Sequence, residues 1–171
     1  MDLSRRVYLI ILSFVALWCS LILAAPLLQM YWGNTSPFAL VIYRFFSRIC
    51  HQLDDRSFHL GGHAWAVCIR CSAIYFSFFL GLCLFPAFKQ LNDRTIPPIV
   101  SLVAASAPML VDVGLNVIGI FQNTVLTRLF TGAVFGVTAS FFIYPLLLDA
   151  ITKLPTGFSF RKGELRHARK T

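Results

Sequence analysis

The chain has 171 residues, of which 57% are hydrophobic and 13% charged, and its formal net charge is +8. Soluble globular domains carry roughly a quarter of charged residues, so this composition excludes one and predicts a protein embedded in a lipid bilayer. There the basic excess reads as a topology signal rather than as a nucleic-acid surface.

Only helices satisfy their backbone polar groups within one segment in lipid. The expected fold class is therefore all-α, a single polytopic transmembrane domain. Four apolar stretches, at about 7–32, 65–88, 99–121 and 125–149, are long enough to cross about 30 Å of hydrocarbon at 1.5 Å per residue. Arg5 and Arg6 precede the first span, but its apolar run far exceeds the roughly 7–15 residues of a signal sequence, and it reads as an uncleaved anchor.

Between the first two spans lies a segment, 38–64, that holds most of the chemistry. Phe38 to Cys50 is too short to cross, and it carries Phe38, Ile42, Phe45, Phe46 and Ile49 broadly on one side with Arg44, Ser47, Arg48 and His51 on the other. This predicts a short helix lying in the membrane interface. Leu53 to Gly62 reads as a loop broken at Gly61-Gly62. Asn34-Thr35-Ser36 is a glycosylation sequon, meaningful only in a host that glycosylates exported proteins.

Cys50, His51, His59, His63, Cys68 and Cys71 place six metal or redox ligands within 22 residues. Cys68 and Cys71 stand three apart where the second span begins, so a helix presents both sulfurs on one side. Zinc takes four tetrahedral thiolate and imidazole ligands, and the preferred set is Cys50, His51, Cys68 and Cys71, with His59 and His63 in reserve. Adjacent residues on a helix point about 100° apart, so Cys50 and His51 both bind only if the helix ends there. The plainer alternative makes Cys50 an apolar-face cysteine and the histidines interfacial polar residues. Cys19 and Cys83, inside the first and second spans, read as packing residues.

Lys89 to Pro98 is the turn joining the second and third spans. Within the third span Pro108, Asp112, Asn116 and Gly119 share a face. A charge in hydrocarbon costs several kcal/mol unless it is paired or hydrated, so Asp112 is expected to meet Arg128 or Arg70, directly or through water. On the fourth span Arg128, Gly132, Gly136 and Ser140 line up, with Gly132-x-x-x-Gly136 allowing close helix approach. Asp112, Arg128 and Arg70 are accordingly the candidate catalytic or ligand-binding groups, Asp112 as proton acceptor or cation ligand and the arginines as anion holders. A register-fixing ion pair is the equally weighted structural alternative.

Ten of the fifteen Lys and Arg residues, including the basic tail within 150–171, fall on one side of these spans. Arg44, Arg48 and Arg56 fall on the other. Basic loops stay cytoplasmic, which places both termini in the cytoplasm and the Cys/His segment outside it. The tail is expected to lie against anionic headgroups. Exported cysteines are readily oxidised, so a thiol-disulfide centre competes with zinc for the same sulfurs. A Cys-x-x-Cys at the outer end of the second of four spans is similar to quinone-linked membrane enzymes that generate disulfides, although no second relay pair is present. The third reading is an accessory subunit of a larger membrane-protein complex or of a homo-oligomer, supported by small size and aromatic outer faces.

The runs Ile49-Cys50-His51-Gln52, Arg56-Ser57-Phe58 and Val67-Cys68-Ile69-Arg70-Cys71 with Ile74-Tyr75 resemble the Cys-His-Gln, Arg-Ser-Phe and Cys-x-Arg-Cys signature of a family of small prokaryotic integral-membrane proteins of unknown function. The likeness extends through Pro108, Asp112, Arg128, Gly132, Gly136 and Pro145, covering about residues 40–146. It implies a location in a prokaryotic cell (inner) membrane and no particular activity. Ser72-Ala73 stands where the family tends to Thr-Gly, and Asp112-Val113 where it tends to Asp-Gly. Together these observations favour a binding or structural protein with a zinc site above an Asp/Arg polar core.

Overall fold

The computed structural model describes residues 2–33 and 36–153. The basic tail and the Asn34-Thr35 part of the sequon lie outside the described residues. Among the described residues five α-helices and one β-hairpin follow in the order α1 (Leu3–Trp32), α2 (Pro37–Phe46), β1 (Ser57–Leu60), β2 (His63–Cys68), α3 (Ile69–Phe88), α4 (Ile99–Val117) and α5 (Val125–Lys153). Four of them, α1, α3, α4 and α5, are long and apolar enough to cross a membrane, and the protein is a mostly helical membrane protein.

Two apolar clusters hold the bundle. At one end Val7 and Tyr8 of α1 pack with Leu82, Phe85, Tyr144 and Leu148 from the far ends of α3 and α5. The buried Tyr8 hydroxyl donates to the Leu82 carbonyl at 3.0 Å, and that of Tyr144 to Leu91 at 2.6 Å, so neither phenol is buried without a partner. At the other end Ile22 and Ala25 pack with Phe46, Cys50, Ala66 and Val67. Trp18 closes this cluster with edge contacts to Phe45, Phe46 and Tyr75.

The two glycines on α5 set the closest helix contact. A Cβ at Gly132 would lie 2.9 Å from both Ala73 Cβ and the Arg70 carbonyl, and one at Gly136 would fall on Ser77 Oγ and the Ile74 carbonyl. Glycine at these positions lets the α3 and α5 backbones approach, as the sequence predicts. The helix α4 packs chiefly on α5 and leaves most of its surface, including Val100, Val103, Leu110 and Val117, exposed for lipid.

Four boundaries of the long helices differ from the sequence reading, the first being the start of α1 at Leu3 rather than near residue 7. The second span begins at Ile69 rather than near Trp65, because Trp65 to Cys68 pair with β1. Gly61 and Gly62 have φ of 57° and 82°, the positive pair that a two-residue hairpin turn needs. The expected loop over Leu53 to Gly62 is therefore a turn of 3-10 helix, Asp54–Arg56, followed by half of that hairpin. The third span stops at Val117 rather than Phe121: Gly119, at φ 76°, turns the chain and the Ile120 amide donates to the Leu115 carbonyl at 3.1 Å, a glycine-type helix stop. The fourth span continues past Asp149 to Lys153, which pairs with Asp149 at 2.7 Å.

The short helix α2 starts where Ser36 accepts from the Ala39 amide and Pro37 occupies the first turn, a combination suited to a helix start. Its packed face is Ala39, Ile42, Tyr43 and Phe46, at helical spacing. Phe38, Phe45 and Ile49, expected on the same stripe, are exposed. Small Ala39, fully buried, allows the helix to lie close against its neighbours, and the Tyr43 hydroxyl then reaches the Ala64 carbonyl of β2.

Candidate metal centre

Three segments converge on one point. Cys50 follows the end of α2, Cys68 is the last residue of β2 and the N-cap of α3, and Cys71 lies in the first turn of α3. Their sulfurs all lie within 4.8 Å of one another. Cys50 is 5% exposed, and Cys68 and Cys71 are half-buried.

The local backbone explains why Cys50 can arrive there. The helix α2 ends at Phe46, so Cys50 and His51 are not held at helical spacing. Gln52 adopts φ of 49°, a left-handed conformation uncommon for a residue with a side chain. Its side-chain Nε2 donates to the Tyr43 carbonyl at 2.9 Å and to the Ala66 carbonyl at 2.6 Å, tying α2 to β2 across the turn. Gln52 is a positioning residue that the sequence reading left without a role. The hairpin positions Cys68 from the other side, with an irregularity in register between Ser57 and His59 opposite it.

The electrostatics favour a thiolate at Cys50. The Cys68 amide donates to Cys50 Sγ at 3.2 Å. Hydrogen bonds from the Cys68 and Cys71 side chains, then the backbone amides of Cys68 and Gln52, hold the Cys50 thiol well below its ordinary range and outweigh its burial. The whole group also sits at the N-terminus of α3, whose orphan amides and dipole stabilise negative charge.

The predicted ligands separate into two sets. Cys50, Cys68 and Cys71 form the group. His51 is exposed and lines the same cavity as the three cysteines. His59 instead contacts Asp54 at 2.9 Å on the exposed face of the hairpin, and His63 lies half-buried on β2 beside the Gly61-Gly62 turn, neither being part of the group. Cys19 approaches the Tyr75 carbonyl at 3.6 Å within the bundle, and Cys83 is exposed on α3.

Beside the sulfurs lies the polar core. Arg70, between Cys68 and Cys71, forms an ion pair with Asp112 of α4, with 18% and 8% of their side chains exposed. Asn123 donates to Asp112 Oδ2 at 3.3 Å and accepts on Oδ1 from Arg128 Nε at 2.9 Å and Nη2 at 2.6 Å. Arg128 therefore reaches Asp112 through the Asn123 side chain, and Arg70 reaches it directly. In the sequence Asn123 reads only as part of the tight turn Gln122-Asn123-Thr124 between the third and fourth spans, because its link between Asp112 and Arg128 is made across helices. Asn116, expected on the Asp112 face, donates to the Phe121 carbonyl at 3.4 Å and closes the end of α4 instead. A cavity of about 470 Å³ joins the two groups, lined by the three cysteines, His51, Arg56, Arg70, Asn123 and Arg128 with apolar residues of α3 and α4.

A family described as "Predicted membrane protein (DUF2085)" matches residues 50–142, a stretch that contains all three sulfurs, Arg70, Asp112 and Arg128. A protein of the archaeon Methanocaldococcus jannaschii, named only as uncharacterized, is 37% identical over 154 residues, which cover 87% of this chain and 97% of that protein. No solved structure matches the chain. With a match over more than half its length and a relative aligned nearly end to end, the chain belongs to this family of predicted membrane proteins.

Proposed function

We propose that the protein binds a divalent metal ion, zinc by its donor chemistry, through Cys50, Cys68 and Cys71 on the extracytoplasmic face of a prokaryotic cell membrane. The observation that carries this reading is the meeting of three sulfurs from three segments within 4.8 Å. Four-coordinate zinc with Zn–S bonds of about 2.3 Å sets its sulfurs roughly 3.8 Å apart, so a small closure of the present arrangement suffices. His51 or an exchangeable ligand from the cavity completes the four. Three protein ligands plus an open position are the pattern of zinc sites that act on a bound molecule, and four are that of structural ones.

Basic residues support the orientation. Arg5, Arg6, Lys89, Arg94 and Lys153 lie at the opposite end of the bundle from the cysteines, as expected if that end is cytoplasmic. In this orientation α2 rests in the outer interface with its exposed Phe38 and Phe45 against lipid. The Arg70, Asp112, Asn123 and Arg128 network lies just beneath the metal centre and fixes the first turn of α3.

Elemental analysis of the full chain purified in neutral detergent tests the reading. About one zinc per chain is expected, lost in Cys50→Ser and in Cys68→Ser. Purified protein without bound zinc or iron, and with Cys68 and Cys71 joined as a disulfide, would sink it. The proximity of the three thiols also supports a second reading, in which two of them are oxidised to a disulfide while a quinone takes the two electrons and two protons to become a quinol. Quinone reduction that disappears in Cys68→Ser is its signature.

A further inference from the structure

The cavity beside the sulfurs has two unlike halves. Its polar half carries Arg56, Arg70 and Arg128, and its apolar half Ile74, Met109 and Val113. Guanidinium groups stay charged at any physiological pH. Asp112 balances Arg70, whereas Arg128 is bonded to the neutral Asn123 and Arg56 approaches only the exposed Asp55, at 3.5 Å. With Asp55 beside Arg56, Asp112 beside Arg70 and one net negative charge on a divalent ion held by three thiolates, the charges sum to zero, and Arg128 is the guanidinium whose bonded partner is neutral. Among the described residues Arg70 Nε is buried without a hydrogen-bond partner, as is Arg56 Nε apart from that ion contact. An acidic oxygen is what such a lining lacks.

The apolar half rules out a merely soluble anion as the best fit. Met109 lies eight residues before the end of α4 at Val117, about 12 Å down the helix at 1.5 Å per residue. The lining thus runs from the metal centre into the depth of the hydrocarbon. Its volume of about 470 Å³ falls in the range of about 300–1,000 Å³ typical of small-molecule sites.

We propose that this cavity binds an amphiphile with an acidic headgroup, a carboxylate or phosphate held by Arg56, Arg70 and Arg128 beside the metal, with its chain against Ile74, Met109 and Val113. The inference rests on the metal-site reading, because the open coordination position is where a headgroup oxygen would enter.

The test uses the zinc-loaded full chain in neutral detergent and a fluorescent long-chain fatty acid as probe. Phosphatidic acid, the fatty-acid methyl ester and inorganic phosphate serve as competitors. The probe is expected to bind saturably and to be displaced by phosphatidic acid but by neither the ester nor inorganic phosphate. Arg56→Gln removes one charge and Val113→Trp fills the apolar half. Each is expected to weaken the probe roughly tenfold with melting temperature and zinc content unchanged, which keeps misfolding apart from lost binding. Equal competition by the ester, displacement by inorganic phosphate alone, or unchanged affinity in both variants overturns the proposal. Zinc retained without probe binding refutes the amphiphile alone, and a purified chain that takes up no zinc refutes the metal reading and with it the headgroup's place on the ion, whatever the probe does.

Discussion

Replacing Asp112 with Ala leaves Arg70 as an uncompensated charge in a place built for a pair. With only 18% of the Arg70 side chain and 8% of the Asp112 side chain exposed, little water can take the place of the missing carboxylate. Removing one member of a buried pair costs about 3–5 kcal/mol, whereas replacing both by apolar groups is often close to neutral. Asp112→Ala is therefore expected to lower stability by about 3 kcal/mol or more. Arg70→Met in the same background removes the stranded guanidinium and is expected to restore at least about 2 kcal/mol of that loss. Unfolding in mixed micelles with rising dodecyl sulfate, followed by fluorescence of the partly buried Trp18 and Trp65, measures all four corners of the cycle. Single-variant losses that add to the double-variant loss within about 0.5 kcal/mol would refute the reasoning and make Arg70 a side chain that turns to solvent.

Three further outcomes follow from other parts of the structure. Gly136→Val drives a branched side chain onto Ser77 and Ile74 and is expected to cost about 1–3 kcal/mol in the same assay, whereas Gly114→Ala, with open space around it, is expected to stabilise by about 0.5–1 kcal/mol. Gln52→Ala deletes two hydrogen bonds that join α2 to β2, so a loss of about 1–3 kcal/mol and weaker zinc retention in competition with a chelator are expected together. In metal-free protein with Cys19 and Cys83 replaced by Ala, thiolate absorbance read against pH reports Cys50. Its depressed folded value means that its contribution to stability is present above the unfolded thiol value of about 8.5 and is lost as pH falls through the folded one. One thiolate is thus expected to persist at pH 7, and Cys68→Ala with Cys71→Ala moves the transition back toward the ordinary range.

How much of this was readable beforehand depended on the range over which each signal acts. The four spans follow from local composition, and the α3–α5 contact from the spacing of Gly132 and Gly136, so both were legible. The trio of cysteines was legible too, since Cys-x-x-Cys fixes two sulfurs and Cys50 is the other cysteine outside the span interiors. The hairpin was missed because Trp65, Ala66 and Val67 are as apolar as a membrane helix, and the Gly61-Gly62 signal of a two-residue turn was read merely as a break. The division among the histidines was not legible. His51 and His59 differ in the direction the chain takes after Gln52, a positive-φ residue whose position depends on carbonyls 9 and 14 residues away. Asn123 was hidden for the same reason, its link between Asp112 and Arg128 being made across helices.

The first turn of α3 belongs to two charge balances at once. Cys68 and Cys71 answer to whatever occupies the sulfur site, and Arg70 between them answers to a carboxylate on another helix. Thermodynamic reciprocity then applies to the pair: if losing the Arg70–Asp112 contact changes the affinity of the sulfurs for an ion by some factor, binding that ion changes the strength of the contact by the same factor. A helix with most of its surface facing lipid would in this way be linked to the sulfur site through a single side chain.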